Sequence, residues 1–334
     1  QLEINNWLDV FILLPIILLG LHRLLTGKGQ IIYYVALTCL FVQNYYFGYM
    51  TAIFLIIWTL VQLSRLKGQK LKRFVNFTLV SILSALSSLF MLLPTYLDLK
   101  THGETFTNIV NLKTEDSWYL DFFAKNLVGS FDTTKFGSIP MISVGLVPLI
   151  LALLFFTLKS IKPIVKLSYS LFFTLIISSF YLQPLNLFWQ GMHAPNMFLY
   201  RYAWVLSIGI IYLAAETVVR LDQINLKHFT LVISFLFIGF LSTYFFKNHY
   251  DFLVDVNFLL TLEFLIAYFI LFIVILGYKS SYKWITSTIV IFSLLEVGIH
   301  TYYQVQGLSD EWHFPSRSNY EEKLSEIDSL VKST

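Results

Sequence analysis

A short polar run carries the residue types best suited to binding a phosphate and the group attached to it. Trp189, Gln190, His193 and Asn196 lie close together in the chain, and Arg201 follows just inside the next apolar run. Arg presents a planar fork of donors that matches a phosphate, and aromatic and amide side chains suit the attached group. The alternative is that Arg201 extends to the membrane interface and the run is only a proline-shaped turn.

The turn after the second apolar run is a second candidate for ligand contact. Asn44 opens it, and Tyr45, Tyr46 and Tyr49 follow. In one interpretation the tyrosines line a cavity and stack on a sugar ring or a lipid head group. In the other they form an aromatic belt around a tight turn, because tyrosine is common at membrane interfaces.

Two carboxylates are candidates for binding or acid–base chemistry. Asp9 begins the first apolar run, and a carboxylate at membrane depth is a functional-site hypothesis because it is costly there. Its alternative role is to stabilise a helix N-terminus, whose free amides favour an anion. Asp132 stands closest to the point where its polar stretch enters the next apolar run. The other acids of that stretch are predicted only to solvate it: Asp98, Glu104, Glu115, Asp116 and Asp121.

Further ionisable residues lie within apolar runs. Glu216 and Arg220 stand four residues apart, which is the spacing of an ion pair on one helix face. Glu296 and His300 share this spacing and are either a proton-handling pair or two separately satisfied buried groups. Glu263 receives no role.

The composition decides which elements must position these residues. Of the 334 residues, 57% are hydrophobic and 13% are charged, whereas a soluble domain has roughly 45–50% and 25%. One water-soluble core cannot hide this apolar surplus, so lipid must be the solvent for much of it. The sequence therefore predicts an all-α, polytopic transmembrane helix bundle.

Hydropathy predicts about ten spans, each near the 20 residues that a bilayer requires. The second is short and is interpreted as half of a broken pair with the third. The predicted spans are Trp7–Leu24, Ile31–Val42, Phe47–Leu63, Val75–Leu93, Met141–Leu158, Leu167–Tyr181, Phe198–Val219, Phe229–Phe246, Phe258–Gly277 and Trp284–Tyr303.

Basic residues alternate regularly between the loops and predict the orientation. One set of loops is rich in them: Arg23, Lys28, Arg65, Lys67, Lys70, Lys72, Arg73, Lys159, Lys162, Lys166, Arg220, Lys227, Lys279 and Lys283. The intervening short loops, at 44–46, 183–197 and 247–257, are poor in bases. By the positive-inside rule the first set is cytoplasmic and the second is external.

Two longer polar stretches are predicted to be external. Residues 1–303 form the membrane domain in this interpretation, with an external loop at 95–140. Residues 304–334 begin an external C-terminal region, where Tyr320–Val331 has the pattern of an amphipathic helix. The apolar start at a residue other than Met predicts that the chain is an internal piece of a longer protein.

Several classes of function are disfavoured. A net charge of +3 provides no basic surface for nucleic acid, and the single cysteine, Cys39, allows no disulfide within the chain. The sequence has no metal-ligand spacing, no phosphate-cradling glycine loop and no nucleophile elbow.

The candidate residues fall within a longer series of segments that carries a family resemblance from Trp7 to about Ala215. The segments are Asn6-Trp7-Leu8-Asp9, Leu14-Pro15, Leu19-Gly20, Asn44-Tyr45-Tyr46-Phe47-Gly48-Tyr49-Met50, Leu93-Pro94-Thr95, Gly129-Ser130-Phe131-Asp132, Trp189-Gln190-Gly191, Pro195-Asn196 and Tyr200-Arg201. In order and separation they resemble the central membrane portion of the bacterial YfhO family.

The resemblance implies a GT-C-type glycosyltransferase of the bacterial cell membrane with its active face outside. Such enzymes transfer a sugar from a polyprenyl-phosphate carrier, here to an envelope polymer such as lipoteichoic acid or a related teichoic acid. The family pattern is expected to have His where this chain has Gln190, with His193 nearby as a substitute. The resemblance also implies that the catalytic carboxylate of the family lies upstream of this chain. A divalent metal is compatible with this class of fold.

Roles for the candidate residues follow from the resemblance. Arg201, assisted by His193, is expected to stabilise the departing lipid phosphate. Asp9 is the candidate in this chain for the base that deprotonates the acceptor hydroxyl. The other residues assigned to substrate binding are Trp189, Gln190, Asn196, Tyr200, Asn44, Tyr45 and Asp132.

Two rival functions use the same residues differently. A transporter or lipid flippase also has broken helices and ionisable residues in its spans, although its polar residues are expected near the midplane. The third interpretation is a non-catalytic scaffold for an envelope assembly complex.

Overall fold

The protein is described by a computed structural model that covers residues 7–103, 106–115, 117–277, 282–312 and 316–333. Asn6, Glu104, Asp116 and Lys279, which the sequence analysis uses, lie outside these ranges. Within them the chain is helical, with one isolated β-bridge between Lys113 and Leu182. The prediction of an all-α fold is confirmed.

Most helices follow one another with short connections, but longer irregular segments precede α6, α7 and α10. Their bounds are α1 Asp9–Leu25, α2 Ile31–Gln43, α3 Tyr45–Arg65, α4 Lys70–Ser87, α5 Leu89–His102, α6 Asp121–Lys125, α7 Leu146–Phe155, α8 Pro163–Tyr181, α9 Gln183–Trp189, α10 Trp204–Val218, α11 Leu226–Phe245, α12 Asp255–Gly277, α13 Tyr282–Trp312 and α14 Arg317–Ser333.

Fewer helices are long enough to cross a membrane than the predicted ten. In the described part of the chain, five helices are long and apolar enough: α3, α8, α11, α12 and α13. A sixth span results if α4 and α5, which meet at a 73° bend, are counted as one. The apolar helices α2, α7 and α10 are shorter.

The number of spans is smaller than predicted because hydropathy detects an apolar stretch, and an apolar stretch need not form one unbroken helix. The predicted span Met141–Leu158 contains a helix of 10 residues, α7. The predicted span Phe198–Val219 loses its first six residues and its last one, and α10 has 15 residues. At about 1.5 Å per residue, neither helix covers the roughly 30 Å of a hydrocarbon core.

The predicted break at Asn44 is confirmed. Asn44 has an extended backbone between α2 and α3, and its side-chain oxygen accepts a hydrogen bond from the Phe47 amide at 3.0 Å. This is a side-chain cap on the N-terminus of α3. It explains how two apolar runs become two helices and not one.

Two sets of contacts define the ends of the bundle. At the start of α3, the Tyr49 hydroxyl donates to the Phe188 carbonyl at 2.8 Å. At its end, Arg65 forms an ion pair with Glu216 of α10 at 2.6 Å. We call the end of the bundle at the start of α3 the loop end, and it includes Asn44 and the segment 189–203. We call the end at Arg65 the basic end.

The last long helix extends beyond its predicted end at Tyr303. α13 continues to Trp312, and Glu311 accepts hydrogen bonds from the Thr134 amide and hydroxyl at 3.1 and 2.6 Å. The Trp312 indole also donates to the Thr134 hydroxyl at 2.8 Å. Residues 304–312 are therefore docked on the irregular segment before α7. The predicted amphipathic helix lies within α14.

Glu296 and His300 on α13 bind separate partners. Glu296 accepts from the Leu146 amide at 2.7 Å and from the Tyr268 hydroxyl at 2.6 Å. The ring of His300 accepts from the Gly129 amide at 3.1 Å. The structure therefore shows the second predicted alternative, in which Glu296 and His300 are satisfied separately. Glu296 also supplies the N-terminal cap that α7 lacks in its own sequence.

Helices α1 and α2 approach closely at Gly20. A Cβ atom placed there would lie 2.5 Å from the Tyr33 backbone nitrogen. We expect Gly20→Ala to destabilise the bundle by about 1–3 kcal/mol, because neither backbone can move aside cheaply. The measurement is the free energy of unfolding in mixed detergent, followed by tryptophan fluorescence.

Gly298 on α13 is the matched control for this prediction. A Cβ at Gly298 meets no atom within 4 Å. Gly298→Ala is therefore expected to raise stability by roughly 0.5–1 kcal/mol through helix propensity alone. Equal effects of the two substitutions would contradict the close approach at Gly20.

Candidate functional site

The segment that leads into α10 has an unusual backbone. Met197, Phe198 and Tyr200 have positive φ angles of 63°, 47° and 57°. Non-glycine residues rarely adopt this region, and strained backbone of this kind concentrates at functional sites. The Phe198 amide donates to the Thr134 carbonyl at 2.8 Å, which fixes the segment against the irregular stretch before α7. This backbone places Arg201 at the loop end.

The guanidinium of Arg201 lies close to two aromatic rings. It is 5.0 Å from the ring centroid of Trp7 and 5.2 Å from that of Tyr46. Its Nη2 makes long hydrogen bonds to the Asn196 and Met197 carbonyls, at 3.3 and 3.4 Å. The Nε atom is buried and has no hydrogen-bond partner.

Arg201 keeps its positive charge uncompensated by any carboxylate in the described ranges. A buried donor without a partner costs free energy, and a bound anion removes that cost. The contacts with the two rings also help to position the guanidinium. The side chain is thus positioned as an anion-binding group with an unused donor.

Arg201 lines one cavity, and a second cavity lies nearby. The smaller, of about 100 Å³, includes Trp7, Ser138 and Arg201 in its walls. The larger, of about 340 Å³, lies on the other side of Leu199 and Tyr200, which line both. Leu199 and Tyr200 therefore form a wall that the two cavities share, with Arg201 on the side of the smaller one.

The larger cavity is lined by amide side chains, so we call it the amide cavity. Asn108 and Asn111 come from the segment before α6, and Gln183 and Asn186 come from α9. Lys113, Glu115, Phe136, Pro195 and Tyr200 complete much of its wall. Amides offer both donors and acceptors, and this is the chemistry that hydroxyl-rich ligands require.

Main-chain hydrogen bonds hold the segment 106–115 against α9. The Thr107 amide donates to the Met192 carbonyl at 3.0 Å, and the Thr114 amide donates to the Tyr181 carbonyl at 3.1 Å. The Thr107 hydroxyl accepts from the Ala194 amide at 2.8 Å. These bonds join residues far apart in sequence, so the sequence pattern contained no signal for this wall of the cavity.

Trp189 and Gln190 lie beneath the cavity and not on its surface. Trp189 is 2% exposed, and its ring stacks on Tyr202 at 5.2 Å. Its indole nitrogen donates to the Ser179 hydroxyl at 3.1 Å. The Gln190 amide donates to Asn186 at 2.9 Å. Trp189 offers no free face to a sugar, and both residues support the residues that line the cavity.

The other predicted binding residues lie at the same end of the bundle. Asn196 is exposed and bonds Arg201 through its carbonyl, and Tyr200 is 3% exposed in the wall between the cavities. The ring of His193 lies 5.3 Å from that of Phe106. Tyr45 is exposed, and Asn44 caps α3 as described above.

The two predicted carboxylates have different surroundings. Asp9 is the first residue of α1, two positions after Trp7, and no described residue forms an ion pair with it. Asp132 is buried and forms an ion pair with Lys125 at 3.1 Å. Its oxygens also accept from the Thr133 and Ile139 amides, at 2.7 and 2.9 Å. Asp132 thus organises the segment that supports the cavities.

A second buried acid lies near this pair. Asp121 accepts from the Trp118 amide at 2.7 Å and from the Tyr250 hydroxyl at 2.9 Å. Burial raises the pKa of Asp121 to about 6 despite these bonds. Burial also lowers the pKa of Lys125, against the opposing influence of Asp132. Sequence analysis missed this network, because it assigned Asp121 to solvation.

No three His, Cys, Asp or Glu side chains come together as a potential metal site among the described residues.

A comparison with protein-family models agrees with the resemblance seen in the sequence. The model described as bacterial membrane protein YfhO matches residues 1–334. No curated protein and no solved structure matches the chain. The match to the family model covers the whole chain, and five or six helices suit a bilayer. The chain therefore belongs to the YfhO family of bacterial membrane proteins.

Proposed function

We propose that the protein is a GT-C-type glycosyltransferase of the bacterial cell membrane. It transfers a sugar from a polyprenyl-phosphate carrier to an envelope polymer such as lipoteichoic acid, on the outer face. The observation that carries the proposal is Arg201, whose guanidinium contacts two aromatic rings, has no carboxylate partner among the described residues and has an unpaired buried Nε. It lies beside the amide cavity, which suits the attached sugar.

The reaction needs one cation and one base. An acceptor hydroxyl attacks the anomeric carbon as the bond from that carbon to the phosphate oxygen breaks. The carrier phosphate leaves with the bonding electrons, and Arg201 stabilises its added charge. A carboxylate takes the hydroxyl proton.

Two carboxylates of the described chain are candidates for the base. Asp9 starts α1 beside Trp7, which contacts Arg201. Glu115 lines the amide cavity, where the acceptor would approach the sugar. Asp9 remains the first candidate for the base. Glu115 is the alternative, because it lines the amide cavity.

The direct test is sugar transfer in reconstituted vesicles. The full protein is placed in vesicles with radiolabelled polyprenyl-phosphate glucose or N-acetylglucosamine, and purified lipoteichoic acid is added outside. We expect labelled polymer and free polyprenyl phosphate to be formed in equal amounts. Movement of the labelled lipid between leaflets without any transfer would contradict the proposal and support the flippase alternative.

A further inference from the structure

A second cavity lies at the basic end, far from the candidate site. It has a volume of about 330 Å³ and is enclosed by the last turns of α1, α3 and α10. Most of its wall is apolar, with Leu18, Leu21, Leu25 and Trp58 among the lining residues. Its polar side chains are His22, Thr26, Gln62, Arg65, Tyr212 and Glu216.

The charges at this cavity do not balance. Arg65 and Arg220 both bind Glu216, at 2.6 and 2.7 Å, so that two cations share one carboxylate. The second contact confirms the predicted pair four residues apart. Arg65 also donates to the hydroxyls of Tyr169 and Tyr212, at 3.2 and 3.0 Å. One unit of positive charge is left over in a half-buried site.

A third arginine adds to this excess. Arg73 at the start of α4 donates to the carbonyl of Leu25, a cavity residue, at 2.8 Å. Because Glu216 already contacts two arginines through separate oxygens, it has little capacity to neutralise another cation. An anion from outside the chain is the natural complement.

An apolar path leads from the cavity along α1. Leu19 lines the cavity and is 54% exposed. Ile16 and Ile12 continue the path at helical spacing and are also exposed. Residues three and four apart lie on one helix face, so these side chains form a continuous stripe towards the middle of the bilayer.

We propose that this cavity binds an anionic phospholipid. The phosphate lies near Arg65 and His22, and one acyl chain follows Leu19, Ile16 and Ile12. A soluble phosphate fits less well, because it would leave the apolar walls empty. The predicted orientation places this end in the cytoplasmic leaflet, where anionic lipids attract basic residues. The proposal does not depend on the transferase activity, since it concerns the opposite end of the bundle.

The test compares lipids added to the purified full chain in detergent. Phosphatidylglycerol is expected to raise the thermal unfolding midpoint by roughly 5 °C, as a ligand well above its Kd would. Phosphatidylcholine at the same concentration is expected to have little effect. Leu18→Trp, which fills the cavity without changing a charge, is expected to abolish the shift. Arg65→Gln is expected to do the same if it folds.

Arg23→Ala is the matched control variant. Arg23 lies beside His22 on α1 but is exposed and does not line the cavity. It should keep the full phosphatidylglycerol shift. An undiminished shift in Leu18→Trp, or equal shifts from the two lipids, would overturn the site. An equal shift from glycerol 3-phosphate alone would overturn the assignment to a lipid.

Discussion

Replacing Arg201 with alanine is expected to reduce kcat/KM for sugar transfer by about 10²–10³-fold, the usual cost of losing one group that stabilises a developing anion. The guanidinium is already fixed between Trp7 and Tyr46, so little ordering is needed when the phosphate arrives. No described carboxylate competes for it. The measurement is the rate of label transfer in vesicles at several donor concentrations.

Arg201→Lys separates the charge from the planar fork. Lysine keeps the positive charge but cannot present two parallel donors or stack flat between the rings, so we expect a loss of roughly tenfold. Arg317→Ala is the control, because Arg317 is 92% exposed on α14. Both Arg201 variants should remain folded, because stacking at such sites contributes only about 0.5–2 kcal/mol. Transfer at the wild-type rate in folded Arg201→Ala would exclude Arg201 from the reaction.

The features that the sequence predicted well depend on composition or on short spacings. The apolar surplus predicts helices in lipid, and every secondary-structure element longer than a single bridge in the described residues is a helix. The break at Asn44 follows from a polar residue that prefers a cap to a helix interior. The pairing of Glu216 with Arg220 follows from their spacing on one helix.

The features that the sequence predicted poorly depend on contacts between residues that are far apart in the chain. Glu296 caps α7 from 150 positions away, and this contact determines where that helix can begin. Trp189 has the residue type of a sugar-stacking group, but Tyr202 covers its ring. Glu115 is exposed, as the sequence predicts for a solvating acid, but it also lines the amide cavity, because the Thr114 amide bonds the end of α8.

The two ends of the bundle use arginine in opposite ways. At the basic end, Arg65 is held by Glu216 and two tyrosine hydroxyls. At the loop end, Arg201 is held by aromatic faces and two long bonds to carbonyls. Aromatic faces position a guanidinium without neutralising it, so its charge stays available to a ligand. Sequence spacing alone does not distinguish the two environments.

Breaking the buried pair of Lys125 and Asp132 is expected to cause the largest single loss of stability at the loop end. Asp132→Asn leaves the Lys125 ammonium buried without its counter-ion, which typically costs about 3–5 kcal/mol. The ammonium is almost fully buried and lies 5.2 Å from the Phe252 ring centroid, so water cannot readily replace the carboxylate. The free energy of unfolding in mixed detergent measures this loss.

A double-mutant cycle shows whether the loss comes from the stranded cation. Lys125→Met combined with Asp132→Asn removes both charges and should recover much of the stability that Asp132→Asn alone loses. Asp251→Asn is the control, because Asp251 is an exposed acid in a turn and should change stability by less than about 0.5 kcal/mol. Additive effects of the two substitutions would mean that the 3.1 Å contact does not couple them. Asp132 also holds the segment that fixes Phe198. We therefore expect Asp132→Asn to lower the affinity for the sugar donor, even though Arg201 itself is unchanged.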